Sequence, residues 1–359
     1  MKAAVCREFG EPLVIEEVEI AEPSAGEIKV KLAACAICHS DITYMSGGWG
    51  GTLPAVYGHE ASGIVESVGD GVVDFAPDDH VIVTLIRSCG TCFYCAQGDF
   101  NMCETTFSLD EKSCLSSPDG QPIVQGLRTA GFAEFVVVDQ SQAAVIPKEL
   151  PLDSASLLSC GVITGLGAVT NSAKVPAGSS VVVTGTGGVG LNSVQGAKLV
   201  GADPIIAIDL AAEKRDAAKS FGATHTIDPA TEDAAEAVRA LTGGRGADYV
   251  FITVGSKSAI EQGVGLMRKA GSLYIVGMPP SGVMAEIEAV ELADAAQQII
   301  GSKMGSTHLK EDIPSLVTHY QEGRLKLDEL ISGRYPLDQI NEAVESVRRN
   351  EALRNVIVF

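Results

Sequence analysis

The sequence predicts an α/β protein in which a doubly wound parallel-sheet domain interrupts a β-rich one. Three observations carry this. Short β-branched runs broken by Gly, Pro and Asp fill the first 150 residues, apolar runs alternate with helical segments from about Val181, and the tail returns to helical periodicity before a final strand-like stretch. Taken in order, residues 28–32, 63–68, 80–84 and 132–138 read as antiparallel strands. Residues 181–184, 205–208, 249–253 and 272–276 read as parallel strands, with helices over 189–200 and 213–221 completing βαβ units. Residues 313–320 and 337–348 have helical spacing, and 355–359 closes the chain as a strand. The expected domains are 1–161 with 303–359, and 162–302.

Composition narrows the function. The chain has 359 residues, and its 26 Lys+Arg against 46 Asp+Glu leave a formal net charge of −20. That excess repels phosphate backbones and anionic lipid surfaces, so neither nucleic acid nor membrane is expected as a partner. No run of 18 consecutive apolar residues occurs, and the start MKAAVCREFG lacks the apolar core of a secretory signal, so a cytoplasmic location is expected. Nine cysteines cannot all pair, and in a reducing compartment clustered cysteines point to metal ligands or catalytic groups.

Gly185-Thr-Gly187-Gly188-Val189-Gly190 follows an apolar run and opens a helical one, as a dinucleotide-binding loop requires. The first glycine permits the tight turn, the second the approach of a pyrophosphate, and the third close helix–strand packing, with the helix N-terminus facing the phosphates. Nineteen residues after Gly190 stands Asp209 at the end of the next apolar run, placed to accept hydrogen bonds from a ribose 2′-hydroxyl and to repel a 2′-phosphate. NAD is therefore the expected cofactor.

Cys89-x2-Cys92-x2-Cys95-x7-Cys103 packs four thiols into fifteen residues. Four thiolates close a tetrahedral shell around Zn²⁺ and leave no position for substrate, so the site is expected to be structural. An iron–sulfur spacing would place the fourth cysteine after three residues and follow it with Pro, whereas Glu104 follows here. Cys38, His59 and Cys160 are a Cys2His set that can leave a fourth position open, the arrangement of a catalytic zinc, but their wide separation carries no local signature.

These segments, in this order with the cysteine cluster and the GTGGVG loop, resemble the zinc-dependent medium-chain alcohol dehydrogenases over nearly the whole chain. The resemblance implies a GroES-like catalytic domain, a Rossmann cofactor domain, and one catalytic and one structural zinc per chain. It implies Cys38, His59 and Cys160 as catalytic zinc ligands, Glu60 behind the metal, Asp41 orienting His59, and Ser40 holding the alcohol proton while nicotinamide takes the hydride. It places Lys214 near the adenosine ribose, Thr164 near the nicotinamide, and His39 and Arg354 at the pyrophosphate. His80, His225, His308 and His319 are expected to be structural or surface residues, and Cys6, Cys35 and Cys114 buried and inert.

Two departures from the family bear on function. Many members carry a histidine where Thr43 stands, at the end of a proton relay, and threonine does not titrate near neutral pH. The formaldehyde-oxidising branch, which uses a glutathione adduct, tends to place acids in the loop occupied here by Gly48-Trp49-Gly50-Gly51 and an arginine near Glu104-Thr105-Thr106-Phe107. With Trp49 and Leu85 at channel positions, an apolar pocket is expected. The leading reading is an NAD- and zinc-dependent dehydrogenase interconverting primary or secondary, largely apolar alcohols with aldehydes or ketones. A thiol-adduct formaldehyde dehydrogenase and a non-catalytic, zinc-stabilised NAD-binding module are the alternatives. The resemblance implies a homodimer or homotetramer, and the long segment between Cys103 and Cys160 favours the dimer.

Overall fold

The computed structural model describes residues 1–359, which divide into two compact units, Met1–Cys160 with His308–Phe359, and Gly161–Thr307. In the first, strand β1 (Glu27–Ala36) alternates buried Ile28, Val30 and Leu32 with Lys29 and Lys31, the period expected of a strand with one face in a core. It pairs antiparallel with β2 (Glu60–Val68), which pairs with β3 (His80–Val83); β4 (Phe135–Asp139) flanks β1, and β5 (Ala143–Val145) joins β3. Helix α1 (His39–Met45) follows β1 after only Ile37 and Cys38. A second six-stranded sheet is built from shorter pieces, among them Lys2–Cys6, Ala55–Val56 and Pro122–Gln125.

The second unit opens with α2 (Gly161–Gly167) and continues as β6 (Val181–Thr184), α3 (Gly188–Leu199), β7 (Ile205–Ile208), α4 (Ala212–Phe221), β8 (His225–Ile227), β9 (Ala247–Ile252), β10 (Met267–Ile275), α5 (Ala289–Asp294) and β11 (Gln298–Gly301), with further helices at Ala234–Leu241 and Lys257–Val264 on either side of β9. Its strands run parallel in the spatial order β8-β7-β6-β9-β10-β11. Numbered from β6 as the first, that is 3-2-1-4-5-6, the order of a dinucleotide-binding sheet whose switch point lies between its first and fourth strands. All four residues of β7 and the first three of β6 are buried, because helices cover a parallel sheet on both faces.

The unit extends to Thr307, five residues past the expected boundary. Gly305 explains this: a Cβ there would come 2.1 Å from the Ile163 carbonyl and 2.8 Å from Gly167, so the turn Met304–Ser306 packs directly on α2. The tail then completes the first unit. β12 (Ile331–Pro336) and β13 (Arg354–Val358) add to the β1 sheet, with β13 antiparallel to β1 and parallel to β12. Between them α6 (Ile340–Arg348) is preceded by a 3-10 turn at Leu337–Gln339, shortening the α-helix expected from 337. No single helix is long and apolar enough to cross a membrane.

Candidate active site

Cys38 caps the N-terminus of α1 in extended backbone conformation, and Asp41, three residues on, ties it down. Asp41 is fully buried; its Oδ2 accepts the Cys38 N–H at 3.0 Å, and its Oδ1 accepts the Gly58 N–H and the His59 Nδ1–H, each at 2.9 Å. A carboxylate that only accepts fixes the proton of His59 on Nδ1, so Nε2 presents its lone pair. Nε2 is buried and has no hydrogen-bond partner. The turn that delivers His59 needs glycine at 58, where φ is +92° and a Cβ would meet Phe132 at 2.7 Å.

Around that nitrogen the fold collects Cys38, Cys160 and Glu60, whose ligand atoms and that of His59 all lie within 4.8 Å of one another, with every residue buried. Cys160 ends the 3-10 turn Leu157–Ser159, and Glu60 starts β2. Of the two thiols, Cys38 is held well below the ordinary range by its hydrogen bond with Cys160, against the cost of burial and with help from His59 and Arg354. Cys160 is correspondingly pushed up, by that same bond and by burial. Burial disfavours a charged His59, but the charge and hydrogen bond of Asp41, together with Cys38, raise it overall. Two sulfurs and an orphaned imidazole nitrogen, buried together, fit Zn²⁺, with the Glu60 carboxyl beside the fourth position.

Arg354 and Glu60 meet at 3.0 Å, a pairing with no local signature in the sequence. Burial lifts the Glu60 carboxyl to about 8, and the guanidinium pulls against that rise. Arg354 is only 5% exposed, and the Nη1 that faces Glu60 also donates to the Ile37 carbonyl at 3.3 Å. The side chain expected at the pyrophosphate is therefore directed at Glu60, its buried Nη2 alone lacking a hydrogen-bond partner. His39 is exposed at the first residue of α1, Ser40 beside it is half-buried, and the Thr43 hydroxyl donates to the His39 carbonyl at 2.9 Å.

The Sγ atoms of Cys89, Cys92, Cys95 and Cys103 also lie within 4.8 Å of one another. Backbone N–H groups point at the sulfurs: Cys92 to Cys89 at 3.2 Å, Cys89 to Cys103 at 3.4 Å and Cys95 to Cys92 at 3.5 Å. The Thr105 hydroxyl donates to Cys89 at 3.0 Å and is the main reason its thiol falls to about 5, whereas burial pushes Cys95 up to about 12. Arg87, 2% exposed, anchors the base of this lobe through Gln142 at 2.7 Å and Asp110 at 3.0 Å. Four converging thiols fit a closed Zn²⁺ shell. All nine cysteines are free, and burial raises the thiols of Cys6, Cys35 and Cys114.

In the second unit the glycine loop joins β6 to α3. At Gly185 φ is +88° and a Cβ would strike Val254 at 2.1 Å; at Gly190 it would lie 1.8 Å from the Gly185 carbonyl. Gly187, which caps α3, would present its Cβ to open space, a cradle at the helix N-terminus that fits a dinucleotide phosphate group. Asp209 Oδ2 accepts the Thr186 N–H at 2.7 Å and hydroxyl at 3.2 Å, and Oδ1 accepts the Ala211 N–H at 3.0 Å. Thr186 also donates to the Lys214 carbonyl at 3.2 Å, bringing loop, acid and α4 together. Thr164, buried in α2, donates to the Met304 sulfur at 3.6 Å. Arg215 beside Asp209 escaped sequence reasoning, since no motif includes it.

Comparison with known proteins agrees with this architecture. Residues 24–148 match the alcohol dehydrogenase GroES-like domain and residues 188–322 the zinc-binding dehydrogenase domain. A probable S-(hydroxymethyl)glutathione dehydrogenase of Schizosaccharomyces pombe is 37% identical over 99% of this chain and 96% of its own. A solved alcohol dehydrogenase zinc-binding domain protein from Burkholderia ambifaria superposes with a TM-score of 0.95 at 34% identity, covering 100% of this chain and 98% of the other. Benzyl alcohol dehydrogenase from Acinetobacter calcoaceticus superposes with a TM-score of 0.93 at 31% identity, covering 100% and 99%. By sequence, by domain content and by fold, the chain belongs to the zinc-dependent medium-chain alcohol dehydrogenases, oxidoreductases that work with zinc and a nicotinamide cofactor.

Proposed function

We propose that the protein is an NAD-dependent alcohol dehydrogenase acting on primary or secondary, largely apolar alcohols and the matching aldehydes or ketones. The observation that carries this is the buried cluster of Cys38, His59 and Cys160, with Asp41 orienting the imidazole and its Nε2 left without a partner. These three residues would hold the catalytic zinc, and Cys89, Cys92, Cys95 and Cys103 the structural one. Zinc, when bound, supplies Lewis acidity toward the alcohol oxygen, and the nicotinamide supplies the hydride acceptor. Ser40 is the residue to hold the alcohol proton, and Thr43, its hydroxyl engaged by the His39 carbonyl, has no titrating group with which to pass it on. Glu60 meets Arg354 at 3.0 Å beside the cluster.

Asp209 at the end of β7 supports NAD over NADP, because its carboxylate accepts a 2′-hydroxyl and repels a 2′-phosphate. Trp49, packed edge-on against Tyr44 with ring centroids 5.1 Å apart, and half-buried Leu85 support an apolar substrate. A benzyl alcohol dehydrogenase among the structural neighbours is in keeping with that. The name of the fission-yeast relative points instead to a glutathione adduct, for which Gly48-Trp49-Gly50-Gly51 and Glu104-Thr105-Thr106-Phe107 offer no cation. A homodimer is supported by β11, which pairs on one side only, and by the exposed Met278, Val283, Met284 and Val290 in the same unit. Free cysteines throughout support a reducing, cytoplasmic setting.

Turnover of a panel of aliphatic and aromatic alcohols with NAD or NADP, with and without glutathione, tests the reading. NAD reduction by apolar alcohols without thiol is expected; activity confined to formaldehyde plus glutathione would overturn it.

A further inference from the structure

Asp209 leaves β7 on a weak tether, its N–H reaching the Ile227 carbonyl only at 3.4 Å. The next two carbonyls, those of Asp209 and Leu210, are taken by a side chain from the helix that follows. Arg215 on α4 folds back so that its Nη1 donates to both at 2.8 Å. Its Nη2 lies 2.9 Å from Oδ2 of Asp228, one residue past β8, and the two side chains are only 18% and 22% exposed. Asp228 is itself fixed, because its Oδ1 accepts the Ala230 N–H at 3.0 Å. One guanidinium thus joins the ends of two neighbouring strands, with its donors directed at two carbonyls and a carboxylate.

The Asp209 carboxylate is aimed from the other side. Thr186 in the glycine loop and the Ala211 N–H hold its two oxygens. Its side chain is therefore registered to the loop, and its peptide to Arg215. A planar fork can serve three acceptors at fixed angles, which a lysine ammonium on a flexible stem does not reproduce. Asp228 has a second effect: it engages Nη2, the nitrogen not used on the carbonyls, so the positive charge is neutralised there and does not invite a phosphate.

We propose that Arg215 is a positioning residue for the cofactor, fixing the Asp209–Leu210 peptide so that the acid meets the adenosine ribose, and that Asp228 restrains Arg215 so that NAD is kept over NADP. This rests on the NAD reading of Asp209 given above. Without the guanidinium the strand end loses two charge-assisted hydrogen bonds, and the peptide that carries the acid is held only through the acid's own side chain. Without Asp228, Nη2 is released as an anion donor next to the strand end that carries Asp209.

The test is steady-state kinetics and equilibrium binding of NAD and NADP to the zinc-loaded full chain and to Arg215→Met, Arg215→Lys and Asp228→Asn, with thermal unfolding of each. Arg215→Met is expected to raise KM for NAD about tenfold, the loss of roughly one charged hydrogen bond, with a smaller fall in kcat. Arg215→Lys is expected to recover part of that loss, and Asp228→Asn to shift the NADP/NAD affinity ratio toward NADP. Unchanged KM for NAD in Arg215→Met, or an unchanged ratio in Asp228→Asn, overturns the proposal while leaving the NAD reading intact. A wild-type chain that binds NADP more tightly than NAD overturns the NAD reading itself, whatever the variants do.

Discussion

Asp41 shows how much one buried carboxylate can organise. It closes the first turn of α1 through the Cys38 N–H, holds the Gly58 turn, and sets the His59 tautomer. The family resemblance gave its orienting role; the structure adds that the same two oxygens close a helix's first turn and hold a glycine turn. Asp41→Asn keeps the shape and turns an amide donor toward one of those three donors. The expected result is a catalytic-zinc affinity lower by about 10- to 100-fold, with the four-cysteine site unaffected, read by competition with a chelator. Equal loss from both sites would contradict this. The site residues were legible to different degrees for a physical reason. Cys89 to Cys103 are ligands within one short lobe and announce themselves by spacing, whereas Cys38, His59 and Cys160 meet only through tertiary contacts, and resemblance alone linked them. The Glu60–Arg354 pair joins the start of β2 to the start of β13, so no window of sequence contains it.

At the scale of elements, the parallel sheet was the more readable half. Strands buried on both faces appear as unbroken apolar runs, and residues 181–184 and 205–208 coincide with β6 and β7. β10 begins at Met267, ahead of the expected 272, because Arg268 and Lys269 near its start carry charge and break the apolar run. In the β-rich unit, pairs as short as Ala55–Val56 and Leu115–Ser116 have too few residues to show any period. The glycine loop supplies a test at this scale. A Cβ at Gly187 meets no protein atom within 4 Å, so Gly187→Ala should fold with unchanged thermal stability and full zinc content. Its new methyl group occupies the approach to the N-terminus of α3, and NAD affinity is expected to fall at least about tenfold by calorimetry. Undiminished affinity would place the pyrophosphate elsewhere.

For the whole molecule, the net charge of −20 sharpens rather than decides the function. A chain this acidic attracts an anionic cofactor only through local devices, and the structure provides a helix N-terminus over an open cradle at Gly187. The same charge makes an uncovered apolar surface the more informative. Met284 is 75% exposed and Val290 67%, in the unit whose sheet ends at the unpaired edge of β11. Met284→Asp with Val290→Asp is expected to convert the proposed homodimer to monomers in sedimentation, and a dimer that survives both would move the proposed interface elsewhere. The claim on which the rest depends is that Cys38, His59 and Cys160 form a zinc site that turns over alcohol. Zinc content measured alongside turnover in the wild type and in Cys38→Ser tests it most directly. The account predicts about two zinc per chain in the wild type, about one in the variant, and no alcohol oxidation by the variant although NAD still binds; full zinc content or retained turnover in Cys38→Ser would contradict it.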